Sequence, residues 1–75
     1  MEQKTLGRRL RRLRKINGET QKELAENLGR HYRTVQNWEL DCSVPDVLTA
    51  MALAEYYNMS VEELVDGEDY YDREF

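Results

Sequence analysis

Side chains that can read the edges of nucleic-acid bases stand together between residues 32 and 37. Arg33 lies three residues before Gln36 and four before Asn37, so all three share one face if this segment is helical. An arginine can donate a fork of hydrogen bonds to guanine, and a glutamine can bond adenine in both directions. Tyr32 adds a ring and a hydroxyl that can contact a thymine methyl group or a phosphate. These residue types favour hydrogen-bonded recognition of a nucleic acid.

The segment that must position this polar face is residues 21–40, which read QKELAENLGRHYRTVQNWEL. Ala25 is small enough for a second helix to approach, and Gly29 can adopt the left-handed conformation that ends a helix. Val35 and Trp38 are apolar and would turn the inner face of that second helix toward a core. The spacing predicts two short helices packed at a steep angle across a tight turn, with the polar face outside.

Five segments, in the right order and spacing, resemble the DNA-binding domains of the phage repressor and Cro-type helix-turn-helix family, also called the xenobiotic-response-element family. They are LGRRLRRLRK (6–15), TQKELAENLG (20–29), TVQNWE (34–39), VP (44–45) and NMSVEELVDG (58–67). The resemblance covers about residues 4–67. It implies an all-α, compact five-helix bundle of the lambda-repressor type, whose third helix, at about 32–40, enters the major groove of DNA.

The same resemblance assigns roles to individual side chains. It places Gln21 near the DNA backbone, where it steadies a side chain of the recognition helix; alternatively, Gln21 is simply a good residue to start a helix. It places Asn37 at a frequent phosphate contact and Thr34 near phosphate or base. The alternative for the outer face is an ordinary solvated helix surface. The expected DNA-binding residues are Gln21, Arg30, His31, Tyr32, Arg33, Thr34, Gln36 and Asn37.

Two of these residues depart from the family pattern. An apolar residue usually stands where this chain has Arg30, and serine or threonine where it has His31. We expect Arg30 to bury only its stem and swing its head group outward, which would add a phosphate contact or loosen the turn. His31 is a poorer N-cap than serine. It is interpreted either as a phosphate neighbour or as plain surface.

The resemblance also implies a structural ion pair between Arg14, near the end of helix 1, and Glu39, which follows the tryptophan. We expect this pair to be half-buried, and to position the recognition helix without touching DNA. The remaining cations of helix 1 are Arg8, Arg9, Arg11, Arg12 and Lys15. At least half of these should form a solvated face. Arg9 and Arg12 are candidates for extra phosphate contacts, and their orientation is left open.

Charge is divided unevenly along the chain. The 75 residues carry a net charge of −4, which alone argues against a nucleic-acid partner. Residues 1–37, however, hold ten Lys/Arg against four Glu, a balance of +6, and residues 38–75 hold one Arg against eleven Asp/Glu, a balance of −10. We therefore expect a two-faced molecule, with a basic half on phosphates and an acidic half turned away.

Helix boundaries follow from caps and stops. Capping boxes are predicted at Thr20 to Glu23 and at Ser60 to Glu63, with left-handed stops at Gly18, Gly29 and Asn58. The expected helices run over about 4–15, 21–27, 32–40 and 46–57, followed by a short fifth helix with Leu64 and Val65 buried. One domain should span 1–67, and residues 68–75 should form a flexible acidic tail.

Several classes of protein are not supported. There is no run of 18 apolar residues and no apolar leader, and the one cysteine, Cys42, allows no internal disulfide. We expect a cytoplasmic, nucleoid-associated protein encoded by a bacterium, phage or mobile element. Ser43 and Ser60 have no histidine at triad spacing, and Cys42 has no activating partner. No enzyme activity, metal or cofactor is expected.

The main functional prediction is a sequence-specific, double-stranded DNA-binding transcriptional regulator, more often a repressor in this family. The alternative is a protein-interaction module, such as an antitoxin or the partner of an anti-repressor, with a partner bound through the acidic half. A weak homodimer that DNA strengthens is expected, joined through helices 4 and 5 and the start of the tail. Leu48, Leu53 and Tyr56 are the apolar positions expected at that interface.

Overall fold

The computed structural model describes residues 5–66, and that range contains five α-helices and no strand. The helices are α1 (Leu6–Ile16), α2 (Gln21–Leu28), α3 (Tyr32–Glu39), α4 (Val47–Tyr56) and α5 (Val61–Asp66). The prediction of an all-α, five-helix fold is therefore confirmed. The expected acidic tail, 68–75, lies outside the described residues, so the domain boundary at 67 stays a prediction.

Local hydrogen bonds fix where α1 and α4 begin. The Thr5 hydroxyl accepts from the Arg8 amide at 3.1 Å, so α1 begins at Leu6, later than the start near residue 4 that was expected. The Asp46 carboxylate accepts from the Thr49 amide at 2.8 Å, so Asp46 caps α4 and is not its first helical residue. Hydrogen bonds from Thr49 hold the pKa of Asp46 below its usual range.

The two predicted capping boxes are both present. In the first, the Thr20 hydroxyl accepts from the Glu23 amide at 3.0 Å and the Glu23 carboxylate accepts from the Thr20 amide at 2.8 Å. Ser60 and Glu63 repeat this arrangement at 3.0 and 2.9 Å. The predicted left-handed stops are confirmed as well, at Gly18 (φ 71°), Gly29 (φ 70°) and Asn58 (φ 59°).

The core is built from one to three apolar residues of each helix. Its largest fully buried side chains are Leu10, Leu24, Val35, Leu53 and Leu64. Burying a side chain of this size contributes about 1.5–3 kcal/mol. Val65 was expected in the core and is 53% exposed. The short α5 presents Leu64 to the bundle, and the next residue is rotated about 100° away.

Glycine 7 lets α1 approach the end of α3. A Cβ atom at Gly7 would lie 2.4 Å from the Trp38 carbonyl oxygen and 2.5 Å from Asp41 Oδ1. Asp41 adopts a left-handed conformation, with φ 59°. Its carboxylate accepts from the Thr5 hydroxyl at 2.8 Å and from the Gly7 amide at 3.2 Å. The start of α1 is thus fixed directly against the C-terminal end of α3.

Candidate nucleic-acid interface

Helix α3 separates its residues cleanly into an inner and an outer face. Val35 and Trp38 are 1% and 4% exposed and belong to the core. The other side carries the polar residues singled out in the sequence. Tyr32, Arg33 and Gln36 are exposed, and Thr34 and Asn37 are half-buried. The structure therefore brings the predicted base-reading side chains together on one accessible helix face.

His31 serves as the N-cap of α3. Its Nδ1 accepts a hydrogen bond from the Arg33 amide at 3.1 Å, in the way a serine hydroxyl would. The imidazole ring also stacks on the Tyr32 ring, with centroids 4.9 Å apart and an interplanar angle of 30°. A residue expected to cap poorly thus caps the helix and orients the aromatic side chain at its start.

Arg30 is exposed, as expected, and it also makes a contact that was not expected. Its Nη2 donates to the Thr49 hydroxyl at 2.6 Å. Thr49 is buried on α4 and offers an oxygen that Arg30 can reach from the turn between α2 and α3. Arg30 therefore connects that turn to α4 while its side chain remains accessible.

Arg14 and Glu39 form a buried ion pair between α1 and the end of α3. Arg14 Nε donates to Glu39 Oε2 at 2.6 Å, and Arg14 Nη2 donates to Glu39 Oε1 at 3.0 Å. The side chains are only 10% and 3% exposed. Arg14 Nη1 also donates to the Glu19 carbonyl oxygen at 2.8 Å. The hydrogen bond to Glu39 raises the already high pKa of Arg14, so the buried guanidinium stays charged.

Gln21 is attached to the same carboxylate. Its Nε2 donates to Glu39 Oε1 at 3.0 Å, and the side chain is half-buried at the start of α2. The α3 side chain that Gln21 contacts is thus Glu39. One carboxylate at the end of α3 receives hydrogen bonds from both α1 and α2, which fixes the relative orientation of these three helices.

A second polar cluster joins α4 to the α1–α2 turn, and no sequence pattern indicated it. The Tyr56 and Tyr57 hydroxyls both donate to the Glu19 carboxylate, the latter at 3.0 Å. Asn27 Nδ2 donates to the Tyr56 hydroxyl at 3.0 Å. Burial, followed by the negative charge of Glu19, raises the pKa of Tyr57 well above its ordinary value. Because Glu19 also contacts Arg14 through its carbonyl, this cluster continues into the ion pair under α3.

The outer face of α4 carries a row of exposed apolar side chains, which we term the α4 stripe. Val47, Leu48 and Met51 are 74%, 77% and 53% exposed, and their helical spacing places them on one side; Val44, in the loop before α4, is 75% exposed and is counted with them. Leu53 was expected at a subunit interface, which is wrong because it is 0% exposed in the core. Tyr56 is half-buried and bonded to Glu19, so of the three expected interface residues Leu48 is the fully accessible one.

The described residues offer no other obvious chemistry. Within 5–66, no three His, Cys, Asp or Glu side chains lie together as metal ligands would. Cys42 is an exposed free thiol in the loop after α3. In the same range, no helix has both the length and the apolar character needed to cross a membrane.

Comparison with known proteins places this arrangement among related domains. A family described as a helix-turn-helix domain matches residues 7–70. The HTH-type transcriptional regulator ImmR of Bacillus subtilis (strain 168) is 40% identical over 65 residues, which are 87% of this chain and 50% of that protein. The chain thus spans about half the length of this curated relative. A similar fold is found in a crystal structure of the P22 c2 repressor protein in complex with synthetic operator 9T in the presence of Tl+. The TM-score is 0.81 at 24% sequence identity, and the match covers 88% of this chain and 100% of that one.

Proposed function

The chain belongs to the helix-turn-helix domain family, and from that premise we propose that it is a sequence-specific, double-stranded DNA-binding transcriptional regulator that acts as a repressor. The observation that carries the proposal is the outer face of α3. Exposed Arg33 and Gln36 lie on a helix whose other face is buried and whose last residue, Glu39, is held by α1 and α2. Such a face is both accessible and fixed in direction, as base readout requires.

In this proposal α3 enters the major groove, and each of its outer side chains makes a different contact. Arg33 donates its fork to guanine O6 and N7, and Gln36 bonds adenine N6 and N7. Tyr32, stacked on His31, contacts a thymine methyl group or a phosphate at the start of the helix. Each good bidentate pair discriminates against the wrong base by about 1–3 kcal/mol. Specificity therefore rests mainly on Arg33 and Gln36.

Phosphate contacts would set the register of α3 on the duplex. Gln21 at the start of α2 and His31 at the start of α3 are the candidates at helix N-termini, where the helix dipole favours an anion. Thr34 and Asn37 are half-buried beside the outer face and supply two more hydrogen-bonding groups. Arg30, exposed in the turn before α3, is a further candidate, because only Nη2 of its guanidinium bonds Thr49 and other donors remain.

A symmetric dimer fits the α4 stripe. One short recognition helix reads few base pairs, and two copies related by a two-fold axis would read two half-sites about one helical turn apart. The stripe itself carries no charged side chain, so it can face a copy of itself. Its small extent, together with the acidity of the second half of the chain, predicts weak association that a palindromic duplex strengthens.

The exposed stripe also supports a second candidate, a module that binds a different protein, as an antitoxin does. The outer face of α3 distinguishes the two proposed functions, because a purely protein-binding domain would have no need for Arg33 and Gln36. Co-purification of a stable heteromeric complex, in a protein that selects no DNA sequence, would favour the second candidate.

The deciding experiment is selection of bound sequences from a random duplex pool. We expect enrichment of a two-fold symmetric site, and failure to enrich any sequence would contradict the proposal. On the selected site, Arg33→Ala and Gln36→Ala should each relax preference at one or two base pairs, whereas Gln21→Ala should weaken binding to all sequences. Glu26→Ala, exposed on α2 away from these positions in the sequence, is the matched control and should bind like wild type or slightly better.

A further inference from the structure

A cleft of about 610 Å³ lies between α1 and the last residue of α3. It is lined by Arg8, Arg11, Arg12, Lys15, Ile16 and Glu39. Arg11 and Lys15 are exposed on the flank of α1 that adjoins buried Arg14, so their charges stand at the mouth of the cleft. The two roles proposed so far, base readout by α3 and register contacts at helix starts, do not use these side chains.

Four cationic side chains and one carboxylate line the cleft. Both Glu39 oxygens accept hydrogen bonds from Arg14, and one accepts from Gln21 as well, so the carboxylate is already balanced beneath the cleft. The four cations lie at i, i+3, i+4 and i+7, on one stripe of α1. Like charges at these spacings repel one another, and an anion beside the exposed Arg11 and Lys15 would reduce that repulsion.

The position of the cleft indicates which anion. Glu39 is at once the end of the recognition helix, a wall of the cleft, and the acceptor for Gln21 at the start of α2. The cleft is therefore continuous with the helix-turn-helix surface, on its α1 side. A duplex with α3 in its groove would present successive phosphates to the flanks of that helix, and arginine binds phosphate with a planar fork of donors.

We propose that the α1 cleft binds backbone phosphates of the same duplex, outside the base pairs that α3 reads. This inference rests on the proposed function. It makes Arg11 and Lys15 contributors to affinity and salt dependence, with no share in sequence preference. Arg8 and Arg12 extend the same cationic surface along α1.

The test compares wild type with the double variant Arg11→Ala, Lys15→Ala on two duplexes. One is trimmed to the selected half-sites, and the other extends them by about one helical turn at each end. Fluorescence anisotropy gives affinity between 50 and 200 mM salt. Because each phosphate contact adds about 0.9 to the salt slope, loss of two contacts per protomer should lower the slope by about 2 for each bound copy. On the extended duplex, the affinity advantage of wild type over the double variant should then shrink roughly tenfold per bound copy as salt rises from 50 to 200 mM.

Two controls isolate the cleft. The swap Arg11→Lys, Lys15→Arg keeps both charges and should retain the wild-type slope. Glu26→Ala removes a charge that is exposed on α2 and should leave the slope nearly unchanged. Preference for the selected over a scrambled site should be the same in all variants, and thermal melting should show that each is folded.

The results separate this inference from the proposed function. If wild type enriches no sequence, the proposed function fails. If wild type enriches a site and the double alanine variant matches its affinity and salt slope on the extended duplex, the cleft inference alone is overturned. An equal loss on trimmed and extended duplexes also overturns it. So does binding of an acidic peptide that requires Arg11 and Lys15 when the DNA curves are unchanged, since the cleft would then belong to a protein partner.

Discussion

The outer faces of α3 and α4 differ in chemistry and in what holds them. The α3 face is polar, and hydrogen bonds secure the helix at both ends, through the His31 cap and the Arg14–Glu39 pair. The α4 stripe is apolar, with Leu48 77% exposed and with no hydrogen bond to satisfy. Directional contacts lose strength when donors move, whereas apolar contacts depend mainly on area. The α3 face is therefore rigid and suits a partner with a fixed pattern of hydrogen-bonding groups. The α4 stripe tolerates small shifts against a complementary apolar surface.

The largest effect should come from Glu39→Ala, because it leaves the buried Arg14 guanidinium without its carboxylate. We expect a loss of about 3–5 kcal/mol in unfolding free energy, measured by urea denaturation. Arg14→Ala combined with it should cost less than the sum of the single changes. Strict additivity in this double-mutant cycle would show that the two side chains are not energetically coupled. Glu26→Ala is the exposed control.

Gly7→Ala should have the next largest effect, since its new methyl group would enter space already occupied by the Trp38 carbonyl oxygen. Overpacking of this kind costs about 1–3 kcal/mol. Thermal melting should fall accordingly, while Lys15→Ala, exposed on the same helix, should change it little. Equal melting temperatures for Gly7→Ala and wild type would mean that α1 can move away from α3 without loss.

Removal of the α3 cap should cost less. His31→Ala removes the acceptor for the Arg33 amide, with an expected loss of about 1 kcal/mol, and His31→Ser should recover most of it. Urea denaturation measures both. A serine variant no more stable than the alanine variant would show that the imidazole contributes through its stacking on Tyr32 and not through the cap.

Alkaline pH should weaken the junction between α4 and the α1–α2 turn. The folded pKa of Tyr57 is raised above its unfolded value near 10, so its contribution is complete below pH 10 and is lost as the pH rises. With partial solvent screening, the loss at pH 10.5 should stay below about 0.8 kcal/mol. Melting curves of wild type and Tyr57→Phe give the comparison. If Tyr57→Phe loses the same stability at alkaline pH, groups other than Tyr57 cause that loss.

The smallest effect on the folded monomer should come from the α4 stripe. Leu48→Ser should change unfolding free energy by no more than about 0.5 kcal/mol, because the side chain is already in water. Its effect should appear in sedimentation with a palindromic duplex, where the second copy should bind more weakly. A large loss of monomer stability for Leu48→Ser would show that the α4 stripe, like the α3 face, is part of the folded framework.

Features set by neighbouring residues were predictable from sequence. A capping box needs only Thr20 and the glutamate three residues later, and Gly29 has no side chain to oppose a left-handed turn. The outer face of α3 followed from its helical spacing. The Arg14–Glu39 contact was anticipated through family resemblance, because nothing in the local sequence relates residues that lie 25 positions apart.

Features set by tertiary contact were missed or assigned wrongly. Glu19 meets Tyr56 across 37 positions, and Arg30 finds Thr49 across 19, so neither contact leaves a local pattern. Leu48 and Leu53 were both expected at an interface. Because α4 is apolar on several sides, periodicity alone could not show that Leu53 faces the core and Leu48 faces solvent.

The loop after α3 carries an exposed thiol, Cys42, to which a probe can be attached. Cys42 is the chain's only cysteine and is exposed, and its amide donates to the Asn37 carbonyl oxygen at 2.9 Å, so its backbone is anchored to the recognition helix. A maleimide dye would therefore label the natural sequence at one position, within a few residues of the surface proposed to meet DNA. Energy transfer to a dye on the duplex would then report the orientation of bound protein without any engineered residue.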